Sequence, residues 1–412
     1  MLLSVEEAQS TILSEIRPLN RIVERPLSQS YGEILARDIR ADSDIPPFTN
    51  SAMDGYALRV DDIRDASSDE PVTLTVIGTV RAGHPGSQPV AKGQCYKIMT
   101  GGMVPDLADA VIPIESTKPG AEPNTVQILE SATVGAFLRP AGEDIQKGSI
   151  VVKKGTRISP PAVGLLATAG AYVVPVREAP RVGIVSTGDE LVGPDQPLTK
   201  GTIRNSNGYA LQAAVYEAGG QPVLYPRAPD DPQAIRKLFH DAAKDCDLLI
   251  SSGGVSVGDY DFVKPVIESL GHLTLWRVNL KPGKPVAFGK VVGIPVVGLP
   301  GNPVSALITF ELFVRPAIRV MLGDEQWPRP TVRLPLAADI KSVEKRRQYL
   351  RARLVIENSH LAAWPHDRQG SAVQSSWESV DALVIVPENT GPYHAGDLLD
   401  TMLLSLHSVR PI

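Results

Sequence analysis

Apolar residues Val5, Ala8, Ile12, Leu13 and Ile16 recur at helical spacing ahead of Pro18, which predicts an opening helix over residues 4–17. Ser4 and Glu7 stand at its start with the spacing of a capping box. A second, short helix is expected over residues 32–37. From residue 46 the pattern changes to short β-rich runs at 72–77, 95–99, 110–114 and 125–129, separated by Gly, Pro and Asp turns. The stretch 46–140 therefore reads as a small β domain inserted into another. The chain returns at Gly142-Glu143-Asp144-Ile145, and Pro160-Pro161 sets a helix running to Gly170.

From residue 181 strands and helices alternate, the signature of a parallel sheet covered by helices. Strands are expected at 182–186, 222–225, 248–251, 273–278, 285–288 and 295–297, with helices over 207–217, 232–244, 263–270 and 304–322. Ligands of such sheets lie beyond the carboxyl ends of the strands. Past residue 328 the β period returns at 331–334, 349–356, 382–386 and 398–404, which suggests a terminal barrel or sandwich. The fold class is thus multidomain α/β: an N-terminal domain in two pieces (1–45 and 141–180), an inserted β-rich domain (46–140), an α/β domain (181–325) and a C-terminal β barrel (326–412).

Composition narrows the functions. At 412 residues and 43% hydrophobic, the chain exceeds one ordinary core. A net charge of −5 argues against a general nucleic-acid binder, which needs a basic surface to displace counterions. Cys95 and Cys246 lie far apart without zinc-ligand spacing, so neither a disulfide framework nor a zinc site is expected, and the cytoplasm is the natural compartment. The N-terminus carries no basic-then-apolar export signal. The uncharged stretch 158–176 is broken by Pro160, Pro161, Gly164, Gly170 and Pro175, and reads as helix, turn and strand rather than a membrane span.

Four strand-end segments of the α/β part carry chemistry. Ser251-Ser252-Gly253-Gly254-Val255-Ser256-Val257-Gly258-Asp259-Tyr260-Asp261 is a glycine loop followed by acids, suited to an anion nest because glycine admits positive φ and close backbone approach. Lys281-Pro282-Gly283-Lys284-Pro285 adds fixed positive charge. Leu299-Pro300-Gly301-Asn302-Pro303-Val304-Ser305 starts a helix at Pro303, with the other first-turn amides expected free for an anion. Ser186-Thr187-Gly188-Asp189-Glu190 brings a carboxylate. Glu190, Asp259 and Asp261 at neighbouring strand ends would repel one another unless a cation sits between them, and hard oxygen ligands beside phosphates are the usual surroundings of Mg²⁺. Singly, each segment also reads as a turn, a helix cap or solvated lysines.

Together with Ser51-Ala52-Met53-Asp54-Gly55-Tyr56-Ala57, Ile98-Met99-Thr100-Gly101 and Gly142-Glu143-Asp144, these segments closely resemble, in order and spacing, the molybdopterin molybdenumtransferase family, which includes the gephyrin E domain. The resemblance covers nearly the whole chain. It implies an elongated helix-containing first domain split by the β insertion, an α/β molybdopterin-binding domain and a C-terminal barrel. It further implies a homodimer that takes adenylylated molybdopterin (molybdopterin-AMP) and molybdate, cleaves the pyrophosphate bond with Mg²⁺ and releases AMP.

By the same resemblance the catalytic positions fall on Asp54, Thr100, Asp144, Glu190, Asp230 and Asp261, with Glu190 and Asp261 as metal ligands. Asp54 and Thr100 would face the α/β site of the other subunit. Asp230 competes with Asp231, either of which can be a helix N-cap, and Asp261 is preferred to Asp259. The pterin-phosphate and oxyanion cradle is expected from Ser252, Gly253, Gly254, Ser256, Gly258, Lys281, Lys284, Pro300, Gly301, Asn302, Pro303 and Ser305, with Arg346 and Ser371 where the family places oxyanion donors. On its face Glu344-Lys345-Arg346-Arg347 is an exposed charged turn. The molybdopterin adenylyltransferase that makes the substrate is a candidate partner; nucleic acid and membrane are not. A tungstate-using paralogue and a gephyrin-like peptide scaffold stand as alternatives, though a pure scaffold has no physical need for acids set beside Lys281 and Lys284.

Overall fold

The computed structural model describes residues 2–256, 258, 261–341, 343–357, 359–405 and 410–411, the side chains of the last pair excepted. The chain falls into two compact units, residues 24–175, and residues 1–23 with 176–412. It opens with helix α1 (Val5–Ser14), whose capping box forms as the sequence requires: Ser4 Oγ accepts from Glu7 N at 3.1 Å, and Glu7 Oε2 accepts from Ser4 N at 2.8 Å.

In the 24–175 unit a six-stranded mixed sheet runs in the order β4-β1-β3-β2-β6-β5, with β1 at Gly55–Leu58, β2 at Val72–Val80, β3 at Gln94–Ile98, β4 at Ala110–Pro113, β5 at Thr117–Pro119 and β6 at Thr125–Ile128. Neighbouring residues point to opposite faces and both faces are packed: Leu58, Leu74, Cys95 and Ile112 on one, Ala57, Val80, Tyr96 and Val111 on the other. Gly55 is dictated by close approach, since a Cβ there would lie 2.0 Å from the Ile112 carbonyl oxygen on β4. The helix expected over 32–37 does not form. Its backbone pairs instead with a distant segment, Gly32 N donating to Ile158 O at 2.8 Å and Leu35 N to Thr156 O at 3.0 Å, so non-local pairing overrides local propensity. Helix α2 (Pro160–Thr168) starts behind the Ser159 cap, and a strand at Val173–Arg177 follows. No helix among the described residues is long and apolar enough to cross a membrane.

In the other unit the α/β sheet has the order β8-β7-β9-β13-β12-β10, from β7 (Arg181–Ser186), β8 (Gln221–Leu224), β9 (Leu248–Ser252), β10 (Gly271–Trp276), β12 (Ala287–Val291) and β13 (Ile294–Leu299). The first four strands of that order are parallel, and β12 alone runs against them, antiparallel to both its neighbours β13 and β10, so the sheet is mixed rather than wholly parallel. The reversal comes from the tight turn at Val292 and Gly293, both at positive φ, which returns the chain as a hairpin instead of a helical crossover. Helix α3 (Ser206–Ala218) buries Leu211, Val215 and Ala218, while α4 (Pro232–Ala242) and α5 (Val263–Leu270) are amphipathic, with Ile235, Phe239, Val263 and Ile267 packed in one core with Val185, Leu249 and Val296. The single helix expected over 304–322 is divided into α6 (Pro303–Thr309), a π segment at Phe310–Val314 and α7 (Arg315–Met321). Pro316 has no N–H for an α-turn bond to Leu312, and the wider π turn absorbs that fault.

The C-terminal sheet runs β11-β15-β17-β18-β14, with β16 on the free side of β15. Its strands are β11 (Leu280–Lys281), β14 (Thr331–Pro335), β15 (Arg347–Glu357), β16 (His360–Pro365), β17 (Ala382–Val386) and β18 (Leu398–Leu403). A bridge from Leu336 to Ala363 joins the end of β14 to β16 and closes the ring into a barrel around Leu350, Ala352, Leu354 and Val384. β11 belongs to the Lys-Pro-Gly-Lys-Pro segment and pairs with the start of β15, Lys281 opposite Gln348, which ties that segment to the barrel.

Candidate functional site

Register places the site. Ser186 of β7 stands opposite Ser252 of β9, and Ser252 opposite Leu299 of β13, so the loops that follow these parallel strands leave the sheet side by side. They line a cavity of about 770 Å³ with Glu190, Asp230, Ser252, Gly253, Gly254, Ser256, Gly258, Asp261, Pro300, Gly301, Asn302 and Pro303 on its walls. Gly253 and Gly254 take φ of +95° and +69°, and a Cβ at Gly254 would come within 2.7 Å of Val263. Asn207, which the sequence reading did not single out, joins two of the loops: its Nδ2 donates to Ser252 Oγ at 2.8 Å and to Gly301 O at 2.7 Å. In the sequence it sits within Arg204-Asn205-Ser206-Asn207, where it looks like ordinary helix-start chemistry; Asn205 is in fact the N-cap of α3.

The acids separate into distinct positions. Asp231 is the N-cap of α4, accepting from Ala234 N at 2.7 Å, which leaves Asp230 on the cavity wall, where its Oδ2 accepts from Asp189 N at 3.2 Å. Asp189 itself pairs with Arg227 at 3.1 Å. Asp261 closes the glycine loop, Oδ2 accepting from Gly258 N at 2.7 Å. Asp259, the alternative to Asp261, lies outside the described residues. Among the described residues no three His, Cys, Asp or Glu side chains form a ready-made metal cluster. The donor set of Glu190, Asp230 and Asp261 is all hard oxygen and suits a cation that takes its remaining ligands from water and phosphate.

A second cavity, also about 770 Å³, adjoins the first and shares Pro285, Pro300 and Asn302 with it. Its walls carry Lys281, Lys284, Ser305, Arg346 and Ser371. The two lysines are not equivalent. Lys281 is ion-paired with Glu344, whose carboxyl the Lys281 hydrogen bond holds below the ordinary glutamate range. Lys281 is therefore not the free charge expected from its motif, whereas Lys284 has no side-chain partner among the described residues. Arg346 is half-buried rather than on an exposed turn, and its Nη1 donates to Leu280 O at 3.2 Å. Ser371 ties the cavities together. Its Oγ accepts from Asn302 Nδ2 at 3.1 Å, and its carbonyl accepts from Val304 N at 3.1 Å. One first-turn amide of α6 expected to be free is thus already taken by the barrel domain.

The remaining expected residues lie in the 24–175 unit. Asp54 precedes β1 and Thr100 follows β3; since Gly55 pairs with Ile98, they meet at one end of the strand pair. Asp54 Oδ1 accepts from Thr100 N and from Thr100 Oγ1, each at 2.7 Å. The Thr100 backbone N–H, then its hydroxyl, hold the Asp54 carboxyl below the ordinary aspartate range. Asp144 is exposed in the return turn, where its N–H donates to Ile45 O at 3.0 Å. Neither cysteine belongs to this chemistry: both are buried and free, and burial pushes the Cys95 thiol up to about 12.

The chain is similar to known proteins over nearly its whole length. Residues 3–170 match the family described as MoeA N-terminal region (domain I and II), residues 183–320 the probable molybdopterin binding domain, and residues 333–404 the MoeA C-terminal region (domain IV). A Mycobacterium tuberculosis protein named Molybdopterin molybdenumtransferase 2 is 38% identical over 402 residues, covering 96% of this chain and 98% of its own. The Molybdopterin molybdenumtransferase of Haemophilus influenzae is 33% identical over 398 residues, covering 96% and 97%. The crystal structure of the molybdopterin biosynthesis moeA protein from Pyrococcus horikoshii OT3 superposes with a TM-score of 0.86 at 31% identity, over 98% of this chain and 100% of that one.

Proposed function

The chain belongs to the molybdopterin molybdenumtransferase family, and from that premise we propose that it inserts molybdenum from molybdate into adenylylated molybdopterin, releasing AMP to give molybdenum cofactor. The observation that carries this reading is the pair of adjoining cavities, acids and glycine-loop amides lining one, lysines, arginine and serine lining the other, with Pro285, Pro300 and Asn302 between them. A diphosphate-bearing substrate and a tetrahedral oxyanion need such complementary neighbours. Phosphoryl cleavage is mostly positioning and charge neutralisation, so no covalent nucleophile is required.

In this reading the loop from Ser252 to Gly258, joined to Gly301 through Asn207, cradles the pterin phosphate, and Gly301, Asn302 and Pro303 form the opposite lip. Lys281, Lys284, Ser305, Arg346 and Ser371 take the oxyanion. Glu190 and Asp261 would hold Mg²⁺, with Asp230 beside them. When bound, Mg²⁺ supplies neutralisation of charge developing on phosphate oxygens. Asp54, Thr100 and Asp144 complete the site from the partner subunit of a homodimer, and Asp54, locked by Thr100, keeps its negative charge near neutral pH. The domain limits 1–45 with 141–180, 46–140, 181–325 and 326–412, and a cytoplasmic location, belong to the same proposal. Purified protein incubated with adenylylated molybdopterin, Mg²⁺ and molybdate should release AMP in a molybdate-dependent manner. Absence of molybdate-dependent AMP release sinks the reading.

A further inference from the structure

Among the described residues Arg351 is the largest fully buried side chain, 0% exposed, and it carries a cation into a place with no counter-charge among them. It projects from the outer face of β15, opposite the barrel core formed by Leu350 and Ala352, beneath the segment 366–371. Its Nη2 donates to Arg368 O at 2.7 Å and to Gly370 O at 3.3 Å, while Nε and Nη1 have no partner among the described residues. Burial pushes its pKa down to about 10, so the group is still charged at neutral pH. An unpaired buried cation is expensive and calls for a use.

The segment above it is clamped from below. Gln369 mimics a strand partner, Nε2 donating to Arg351 O at 2.9 Å and Oε1 accepting from Arg351 N at 3.1 Å, and His366 N donates to Arg351 O at 2.8 Å. The peptide bonds after Arg368 and Gly370 are trans, so drawing their carbonyls toward the guanidinium turns the N–H groups of Gln369 and Ser371 the other way. Neither N–H finds an acceptor among the described residues, and Gln369, Gly370 and Ser371 all line the second cavity.

We propose that Arg351 is a positioning residue for a tetrahedral oxyanion. From beneath the segment it fixes the Arg368 and Gly370 carbonyls, so that the Gln369 and Ser371 amides stand toward the second cavity as anion donors and its own charge adds to their field. This rests on the reading of that cavity as the molybdate site. It gives the buried cation a counter-charge: the anion arrives on the far side of the segment and offsets it, while the three N–H donors on Nε and Nη1 stay outside that contact.

The test uses the full chain and inorganic molybdate. Calorimetric titration of Arg351→Met should show molybdate binding weakened about tenfold, with the KM for adenylylated molybdopterin little changed and guanidinium ion restoring part of the affinity. A merely structural role would move both substrates together and give no rescue. In the wild-type protein, saturating molybdate should slow amide hydrogen exchange across 369–371, a measurement that stands even where the variant does not fold. Molybdate binding that Lys284→Ala weakens, with exchange at 369–371 unchanged or Arg351→Met binding normally, overturns the role of Arg351 alone. Absence of molybdate binding to the wild-type chain overturns the cavity reading and this inference with it.

Discussion

Asp54 and Thr100 show how much one side chain's setting controls. With two donors on one carboxylate oxygen, the folded Asp54 pKa lies below its unfolded value. The stabilisation is therefore complete above the unfolded value of about 3.9 and is lost as pH falls through the folded one. Thr100→Val should raise the Asp54 midpoint toward that unfolded value while leaving its backbone bond; a carbon-detected NMR titration reads it, and an unmoved midpoint would show the hydroxyl is immaterial. For Glu190 and Asp261, Glu190→Gln and Asp261→Asn remove charge at constant size, and an Asn oxygen can still accept from Gly258 N. Each should slow AMP release by about a hundredfold with unchanged melting temperature, the scale of losing one aligned electrostatic group. Wild-type turnover in both would exclude them as metal ligands. At this scale the sequence was informative about residue type but ambiguous about neighbours: Asp230 and Asp231 are alike in composition, and only the Ala234 N–H distinguishes the helix cap from the cavity acid.

At the scale of elements, the helix that begins at the cavity is anchored far from it. Arg319 on α7 and Asp324 beyond it form a buried ion pair, Nε to Oδ2 at 2.7 Å, and Arg319 Nη1 also reaches the last carbonyl of α3, Ala218 O, at 3.3 Å. Asp324→Ala strands a buried cation and should destabilise the protein by about 3–5 kcal/mol in denaturant melts. A loss under 1 kcal/mol would mean water reaches the site. Periodicity located nearly every element of the α/β unit because amphipathic helices and buried strands write their burial into the local pattern. It failed at 32–37, where a pairing with residues near 157 decides the backbone, and at β16, whose His360-Leu361-Ala362-Ala363-Trp364-Pro365 carries little β-branched signal.

For the whole molecule, the proposed composite site makes a distinctive prediction. Chains carrying Asp54→Ala and chains carrying Glu190→Gln, each nearly inactive as homodimers, should recover about a quarter of wild-type specific activity or more when mixed and re-equilibrated, because one of the two sites in a heterodimer is then intact. Co-purification through two different tags establishes that heterodimers form, and inactive heterodimers would rule out sharing between subunits.

The order of elements, the glycine, lysine and proline loops and their placement at strand ends follow from the sequence alone, because the hydrophobic period and turn chemistry are local properties. The partners of those loops do not. Asn207 meets Ser252 across 45 positions and Gly301 across 94, and Lys281 meets Glu344 across 63. Arg351 finds its carbonyls only because the segment after β16 folds back over β15. Such contacts are set by register and packing between elements distant in the chain, and no local pattern encodes them, so the tertiary structure alone decided which lysine is left free and which cation lies buried behind the second cavity.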